Sequence, residues 1–339
     1  MVRIMKLVIQ IPCFNEENVL LRTLESLPSH IDGIDIIEIL LIDDGSSDNT
    51  YKVAQQFGVQ HILRFKRHQG LATAFRKGLN ASLQVGADII LNTDADNQYR
   101  GEDIQKLVKP VLLGEADLVI GDRDVGNLEH FSPVKRRLQI LGSHFVSQAS
   151  DIKIPDATSG FRALSREAAL QTIVLSDYSY TLETLIQAGD HKLSVAFVPV
   201  QVNPVQRPSR LMRGLSDYIV NSSVTITRSY SMYKPLRVFS MIGFIFLVGG
   251  IILGLRYLYF VANHSGAGHI QSVILSSVLL IVGFQIGLIG LLADLISANR
   301  KILEEILYHT RKTIFDSNNA TVFEDQFMEK EYYEKDHEV

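Results

Sequence analysis

Two aspartates one residue apart, Asp94 and Asp96, follow an apolar run in the stretch DIILNTDADNQY. Alternate residues of an extended segment point to the same side, so both carboxylates are expected to face one point. Like charges that close repel each other and call for a cation. Oxygen donors of this kind suit Mg2+ or Mn2+, and Gln98 continues the alternation with a neutral oxygen. A lone Asp-x-Asp also arises in ordinary surface turns, so context decides. A second acidic turn, IDDGSSD, carries Asp43 and Asp44, and the segment IPCFNEE carries Glu16. Each ends an apolar run, so three strand ends would bring five carboxylates to one rim. Capping explains part of this polarity: Ser46, Ser47 and Asp48 are expected to cap the helix after Asp44, and Asn15 the helix from Glu16.

The elements that must position these groups alternate along the first two hundred residues. Branched apolar runs at 7–11, 36–42, 61–63, 88–92, 117–120 and 195–202 read as strands. Between them EENVLLRTLESL, GLATAFRKGLNASL and EDIQKLVKPVLL read as helices, the last with an internal Pro110. This alternation implies an α/β domain built on parallel strands, with ligands bound beyond their carboxyl ends. No GxGxxG follows the first strand and no GxxxxGK[ST] occurs, which argues against dinucleotide enzymes and P-loop NTPases. His68, in RHQGLATA, reads either as a positioning residue near a nucleotide or as a plain loop residue. No spacing suggests zinc. The single cysteine, Cys13, excludes an internal disulfide and suits a cytosolic domain.

Hydrophobic residues make up 46% of the 339-residue chain, and the excess lies in two uncharged blocks, 238–255 and 273–293. Each is about the ~20 residues a bilayer requires, so both are expected to be transmembrane helices. Lys234 and Arg237 flank the first block, Arg300 and Lys301 follow the second, and the connecting ANHSGAGHIQ has neither Lys nor Arg. The positive-inside rule makes this a hairpin with the catalytic domain and both termini cytoplasmic. Arg256 and Asp294 are expected to snorkel to the headgroups. Small-residue spacings in GGIILG and GFQIGLIG predict close packing within the hairpin and between protomers of a homo-oligomer. Arginines among apolar residues between Arg207 and Tyr233 fit an interfacial helix against anionic headgroups. The expected organisation is therefore a catalytic domain at 1–206, an interfacial segment at 207–237, a hairpin at 238–297 and a charged tail at 298–339. No nucleic-acid partner is expected.

The segments IPCFNEEN, LLIDDGSSDNT, HQGLATAFRKGL, DADNQY, GDRD and DATSGFRALSREA, in this order, resemble a family 2 glycosyltransferase. The added hairpin resembles the polyprenyl-phosphate glycosyltransferases related to dolichol-phosphate mannose synthase. The resemblance implies a GT-A, Rossmann-like domain with a mostly parallel central sheet. It implies that Pro12, Phe14, Glu16, Asp43, Asp44, Asp94 and Ala95 line the nucleotide pocket, and that Asp94, Asp96 and Gln98 hold the metal. It places Asp96, Arg123 and Arg136 in catalysis, and Arg136, Arg207 and Arg210 near the acceptor phosphate. The loop at Arg207 reads RPSRL where the family usually has Gly-x-Ser-Lys. The implied reaction is an inverting transfer of one sugar from a nucleotide-sugar, a UDP-sugar, to undecaprenyl or dolichyl phosphate. A processive polysaccharide synthase is disfavoured, because the chain has no tryptophan for a QxxRW segment and too few spans for a channel. A non-catalytic scaffold is disfavoured by the intact Asp-x-Asp and arginines.

Overall fold

A computed structural model of the chain describes residues 4–124, 133–175, 180–203, 224, 227–228, 231, 233–263 and 269–316. It divides into two compact units, one of Met1–Ile226 with Tyr308–Val339 and one of Thr227–Leu307.

The first unit is a seven-stranded sheet of order β3-β2-β1-β4-β6-β5-β7. Its strands are β1 (Lys6–Cys13), β2 (Ile36–Asp43), β3 (His61–Arg64), β4 (Ile89–Asn92), β5 (Leu118–Asp122), β6 (Arg162–Ser165) and β7 (Val195–Pro199). The helices are α1 (Leu20–Glu25), α2 (Thr50–Phe57), α3 (Leu71–Gln84), α4 (Ile104–Leu112), α5 (Pro133–Ser150), α6 (Arg166–Gln171) and α7 (Tyr180–Asp190). β1 pairs in parallel with both β2 and β4. Helices cover both faces of such a strand, so an unbroken apolar run is needed, and Leu7, Val8, Ile9 and Ile11 are all fully buried. Pro110 is tolerated two residues before the end of α4, where its missing N–H removes one bond from the last turn only.

One strand departs from the parallel pattern. β6 runs antiparallel between β4 and β5, with Arg162 opposite both Asn92 and Ile120. A reversed strand begins where its neighbours end, so the segment leading into β6 lies at the carboxyl edge of β4 and β5. Four residues with a buried arginine at the first position carry too little pattern to announce a strand.

The first unit also includes the last turns of a long helix. α8 (Pro235–Ala262) and α9 (Ile270–Asp316) are the two apolar helices, of 28 and 47 residues, and both are long and apolar enough to cross a membrane. The hydrophobic block expected to end at residue 293 thus continues as helix for 23 further residues. Within the first unit Arg311 donates to the Leu170 and Thr172 carbonyls at 2.6 and 3.0 Å and to Asn80 Oδ1 at 2.8 Å. Arg166 donates to the Phe315 carbonyl at 3.0 Å and to Asp316 Oδ1 at 2.9 Å.

In the second unit α8 and α9 pack through their small residues. A Cβ on Gly243 would lie 2.9 Å from the Gly283 carbonyl oxygen, and one on Gly283 would lie 2.9 Å from that of Gly243. Ser276 Oγ donates to the Gly250 carbonyl at 2.7 Å. The glycine spacing therefore serves a close helix crossing inside the hairpin. Gly283→Ile is expected to lower the thermal midpoint of the detergent-solubilised protein, at the cost of ~1–3 kcal/mol typical of overpacking. Gly287→Ile, where a Cβ meets nothing within 4 Å, is expected to leave it unchanged. Equal midpoints for the two variants would remove the close crossing.

Candidate active site

β1, β2, β4 and β5 all end at one edge of the sheet, and the chemistry-bearing residues follow those ends. β4 stops at Asn92, so Asp94 and Asp96 do not lie on an extended segment as expected. They sit in a turn. Asp96 Oδ1 accepts from the Gln98 backbone N–H at 3.1 Å, and Asn97 takes a left-handed φ of 56°, a conformation asparagine tolerates. The turn, rather than strand alternation, brings the two carboxylates together. Burial, and next the Asp96 charge, push the Asp94 carboxyl up to about 7, against the pull of Arg123.

The turn is fastened on every side. Thr23 Oγ1 donates to the Ala95 carbonyl at 2.8 Å. Asn203 donates from its backbone to the Gln98 carbonyl at 2.8 Å and from Nδ2 to the Asn97 carbonyl at 2.9 Å. Tyr99 stacks on Phe161 at 4.6 Å and its hydroxyl accepts from the Gly160 N–H at 3.3 Å. Below the turn, buried Asn92 accepts from Gln10 Nε2 at 2.9 Å and donates to the Gly160 carbonyl at 2.8 Å and the Tyr180 hydroxyl at 3.1 Å. Gly160 admits no side chain: a Cβ there would lie 3.1 and 3.2 Å from the Asp94 carboxylate oxygens and 2.9 Å from the Tyr180 hydroxyl.

Arg123, just past β5, is 8% exposed and is held by the segment before β6. Its Nε donates to Asp156 Oδ2 at 2.7 Å, and its Nη2 to Asp156 Oδ1 at 3.1 Å and Thr158 Oγ1 at 2.7 Å. Nη1 makes no hydrogen bond among the described residues. Burial works against the charges of this pair, but attraction wins: Arg123 holds its proton more tightly than usual and Asp156 lies below the usual carboxylate range. Arg136 lies on α5, partly buried, on the face that carries Gln139 and Ser143. Those two contact the same segment, through Thr158 Oγ1 at 3.4 Å and the Ala157 N–H at 3.1 Å.

The other expected residues divide. Pro12 is buried in β1. Phe14 stacks on His68 with centroids 4.0 Å apart. Asp44 accepts from the Gln69 and Gly70 N–H groups at 2.7 and 2.9 Å and faces His68 Nδ1 at 2.8 Å, so its carboxylate fixes the 68–70 loop. Asp43 is fully buried, accepting from the Ser46 N–H at 2.8 Å and facing Arg64 Nε at 3.1 Å. Glu16 is buried, and its N–H donates to Thr50 Oγ1 at 2.8 Å. Asn15 does not cap α1; its Oδ1 accepts from the Ser47 N–H at 2.8 Å and ties the first strand's loop to the second's. Arg207 and Arg210, and the interfacial segment around them, lie outside the described residues.

With this geometry in hand, comparison with known proteins is decisive for the family. The profile of Glycosyl transferase family 2 matches residues 8–172. An uncharacterized protein of Methanocaldococcus jannaschii is 35% identical over 200 residues, which is 56% of this chain and 79% of that one. The chain belongs to glycosyl transferase family 2.

The profile of the GtrB C-terminal hairpin matches residues 234–298 of this glycosyltransferase. Among its relatives is the UDP-N-acetylglucosamine–dolichyl-phosphate N-acetylglucosaminyltransferase of Methanococcus voltae, 28% identical over 56% of this chain and 83% of that one. Another is the undecaprenyl-phosphate mannosyltransferase of Micrococcus luteus, 26% identical over 66% and 93%. The fold matches a crystal structure of glucosyl-3-phosphoglycerate synthase from Mycobacterium tuberculosis in complex with Mn2+, UDP and glucosyl-3-phosphoglycerate. That match has a TM-score of 0.54 and 22% identity, and covers 67% of this chain and 80% of that one.

The raised Asp94 carboxyl has a consequence for the transferase free of ligands. A carboxyl that grips its proton harder when folded stabilises the fold below its unfolded pKa, and that contribution is lost as pH rises through about 7. In chelator-containing buffer this contribution to the thermal midpoint is expected to fall between about pH 4 and about pH 7, and Asp94→Asn is expected to flatten that slope. An identical slope in the variant would remove the raised Asp94 carboxyl.

Proposed function

We propose that this transferase moves one sugar from a nucleotide-sugar, a UDP-sugar, to a polyprenyl phosphate at the cytoplasmic leaflet. The observation that carries the reading is the convergence, on one sheet edge, of the Asp94–Asp96 turn and a buried arginine with one nitrogen left unbonded among the described residues. Residues 1–206 with the docked turns 308–316 act as the catalytic domain, 207–237 as the interfacial segment and 238–297 as the hairpin. Docking of residues 308–316 on α3 and α6 supports a hairpin whose two ends lie on the same side as the catalytic domain. The relatives named for dolichyl and undecaprenyl phosphates support the acceptor class.

The acidic turn fits a divalent ion on its own chemistry. Two neighbouring carboxylates, one of which burial and the other's charge hold protonated to about 7, gain from a cation. Among the described residues no three His, Cys, Asp or Glu side chains form a closed site. One or two carboxylates, with the remaining positions left to phosphate oxygens and water, is how Mg2+ or Mn2+ is held with nucleotides. Asp94 and Asp96 would hold it, with Gln98 beside them, and when bound it neutralises the departing nucleoside diphosphate. Phe14 and the 68–70 loop fixed by Asp44 border the nucleoside. Arg123 offers Nη1 to the developing diphosphate charge, held in place by Asp156 before the reaction begins. Arg136, with Arg207 and Arg210, holds the acceptor phosphate in line. A phosphate monoester with a second pKa near ~6 is already ionised at neutral pH, so attack needs no strong base. Direct attack inverts the anomeric centre.

Purified protein with Mn2+ or Mg2+, labelled UDP-sugars and undecaprenyl or dolichyl phosphate is expected to give a lipid carrying one sugar. Asp96→Asn is expected to lower turnover by roughly 100-fold or more with the thermal midpoint retained, and Arg123→Ala to lower turnover as far while also lowering the midpoint, because it leaves buried Asp156 without its cation. No glycolipid from any common donor would overturn the reading, and long polymer would replace it with a processive synthase.

A further inference from the structure

We propose that Arg162 is a positioning residue, which staples the 156–160 segment so that Asp156 and Thr158 present Arg123 to the substrate. The proposal rests on the reading of Arg123 as the diphosphate-binding cation. Arg162 is 1% exposed, so it does not touch substrate itself. Its Nε donates to the Ser159 carbonyl at 2.8 Å, its Nη2 to the Ala157 carbonyl at 3.2 Å, and its Nη1 to Thr184 Oγ1. The two carbonyls flank Thr158, the residue whose hydroxyl accepts from Arg123 Nη2. Arg162 also opens β6, in the register row shared with Asn92 and Ile120. That row lies two residues before Asp94 on one side and three before Arg123 on the other. One buried side chain therefore stands at the junction of the strand that delivers the carboxylates and the strand that delivers the cation.

The chemistry of Arg162 is specific to this task. Among the described residues it makes no ion pair, and its guanidinium is spent on two carbonyls, one hydroxyl and the face of Tyr180, 5.7 Å from the ring centroid. Burying a cation without a carboxylate is unfavourable, and an apolar chain of similar length would fill the space more readily. What an apolar chain cannot do is fix two carbonyl groups, one on each side of Thr158, through one rigid planar fork. Lysine would keep the charge but lacks that fork. Arg123 needs such a fixed seat, because its Nε and Nη2 are committed and only the position of Nη1 remains to be set.

The test is a double-mutant cycle on the full-length protein in detergent, using Arg123→Ala, Arg162→Lys and the pair. It is read in kcat and in calorimetric affinity for UDP with Mn2+. Arg162→Lys alone is expected to lower kcat by about ten- to a hundredfold with the acceptor KM unchanged. In the Arg123→Ala background the same change is expected to cost nothing further, because the two act as one unit. Equal losses in both backgrounds would overturn the proposal and leave Arg162 a structural residue. If Arg162→Lys does not fold, Thr184→Val replaces it; it removes one bond of the staple and is expected to give the same non-additivity. Should Arg123→Ala itself leave kcat and UDP affinity unchanged, the reading of Arg123 fails first, and that result differs from additivity with a crippling Arg123→Ala.

Discussion

Two carboxylates on one tight turn, partly withdrawn from water, repel each other, and the surrounding structure exists to keep them there. Left alone, such a turn would relax by swinging one side chain into solvent. Thr23, Asn203 and Tyr99 hold its backbone from three elements, and Asn92 ties the strand below it to the Gly160 carbonyl. Burial first, and the repulsion second, show as a raised affinity for a proton at Asp94. A site that grips a proton near neutrality is also one from which a divalent cation can displace it.

The cationic side of the site follows a different rule. Arg123 is not left as a bare charge opposite the acids, where it would collapse onto Asp94 and close the space. Asp156 takes its Nε and one amino group, and Thr158 shares that amino group. The bidentate pair fixes the plane of the guanidinium and lowers the net charge it presents. Substrate then meets an oriented donor in place of a flexible one. The same segment reaches α5, the helix that carries Arg136, through Gln139 and Ser143. One seven-residue stretch, Asp156 to Arg162, thus seats Arg123, touches the helix that carries Arg136 and, through Gly160, lies against Asp94.

Much of this was legible in the residue pattern, and the gaps have physical causes. The strands at 7–11 and 36–42 were readable because parallel, doubly covered strands need long branched runs, and β1 and β2 follow them. The Asp94–Asp96 pair was readable as chemistry, although the reason for their proximity was not: a turn set by Asn97 and the Asp96 side chain, rather than strand alternation. β6 was hidden, being four residues long, antiparallel and opened by a charged residue. Without β6 the stretch DATSGFR had no place in the fold, so Asp156, Thr158, Gly160 and Arg162 carried no assignable role. Asp43 and Asp44 were read as part of an acidic rim, but loop N–H groups and Arg64 engage them, which spacing alone does not reveal.

The protonation states bear on what kind of nucleophile the site accepts. A hydroxyl acceptor needs a base to take its proton in the transition state. Asp156 is held below the usual carboxylate range by Arg123, which makes it a poor base. His68 Nδ1 is taken by Asp44, and its ring is stacked on Phe14. Asp94 has the affinity for a proton that a base requires, but the same oxygens are those that would hold the metal, and they cannot serve both at once. An acceptor that arrives already ionised avoids the conflict, and it brings a charge that Arg136 can hold. The arrangement of acids and arginines therefore favours a phosphate oxygen over a sugar hydroxyl as the attacking group, on the chemistry of this edge alone.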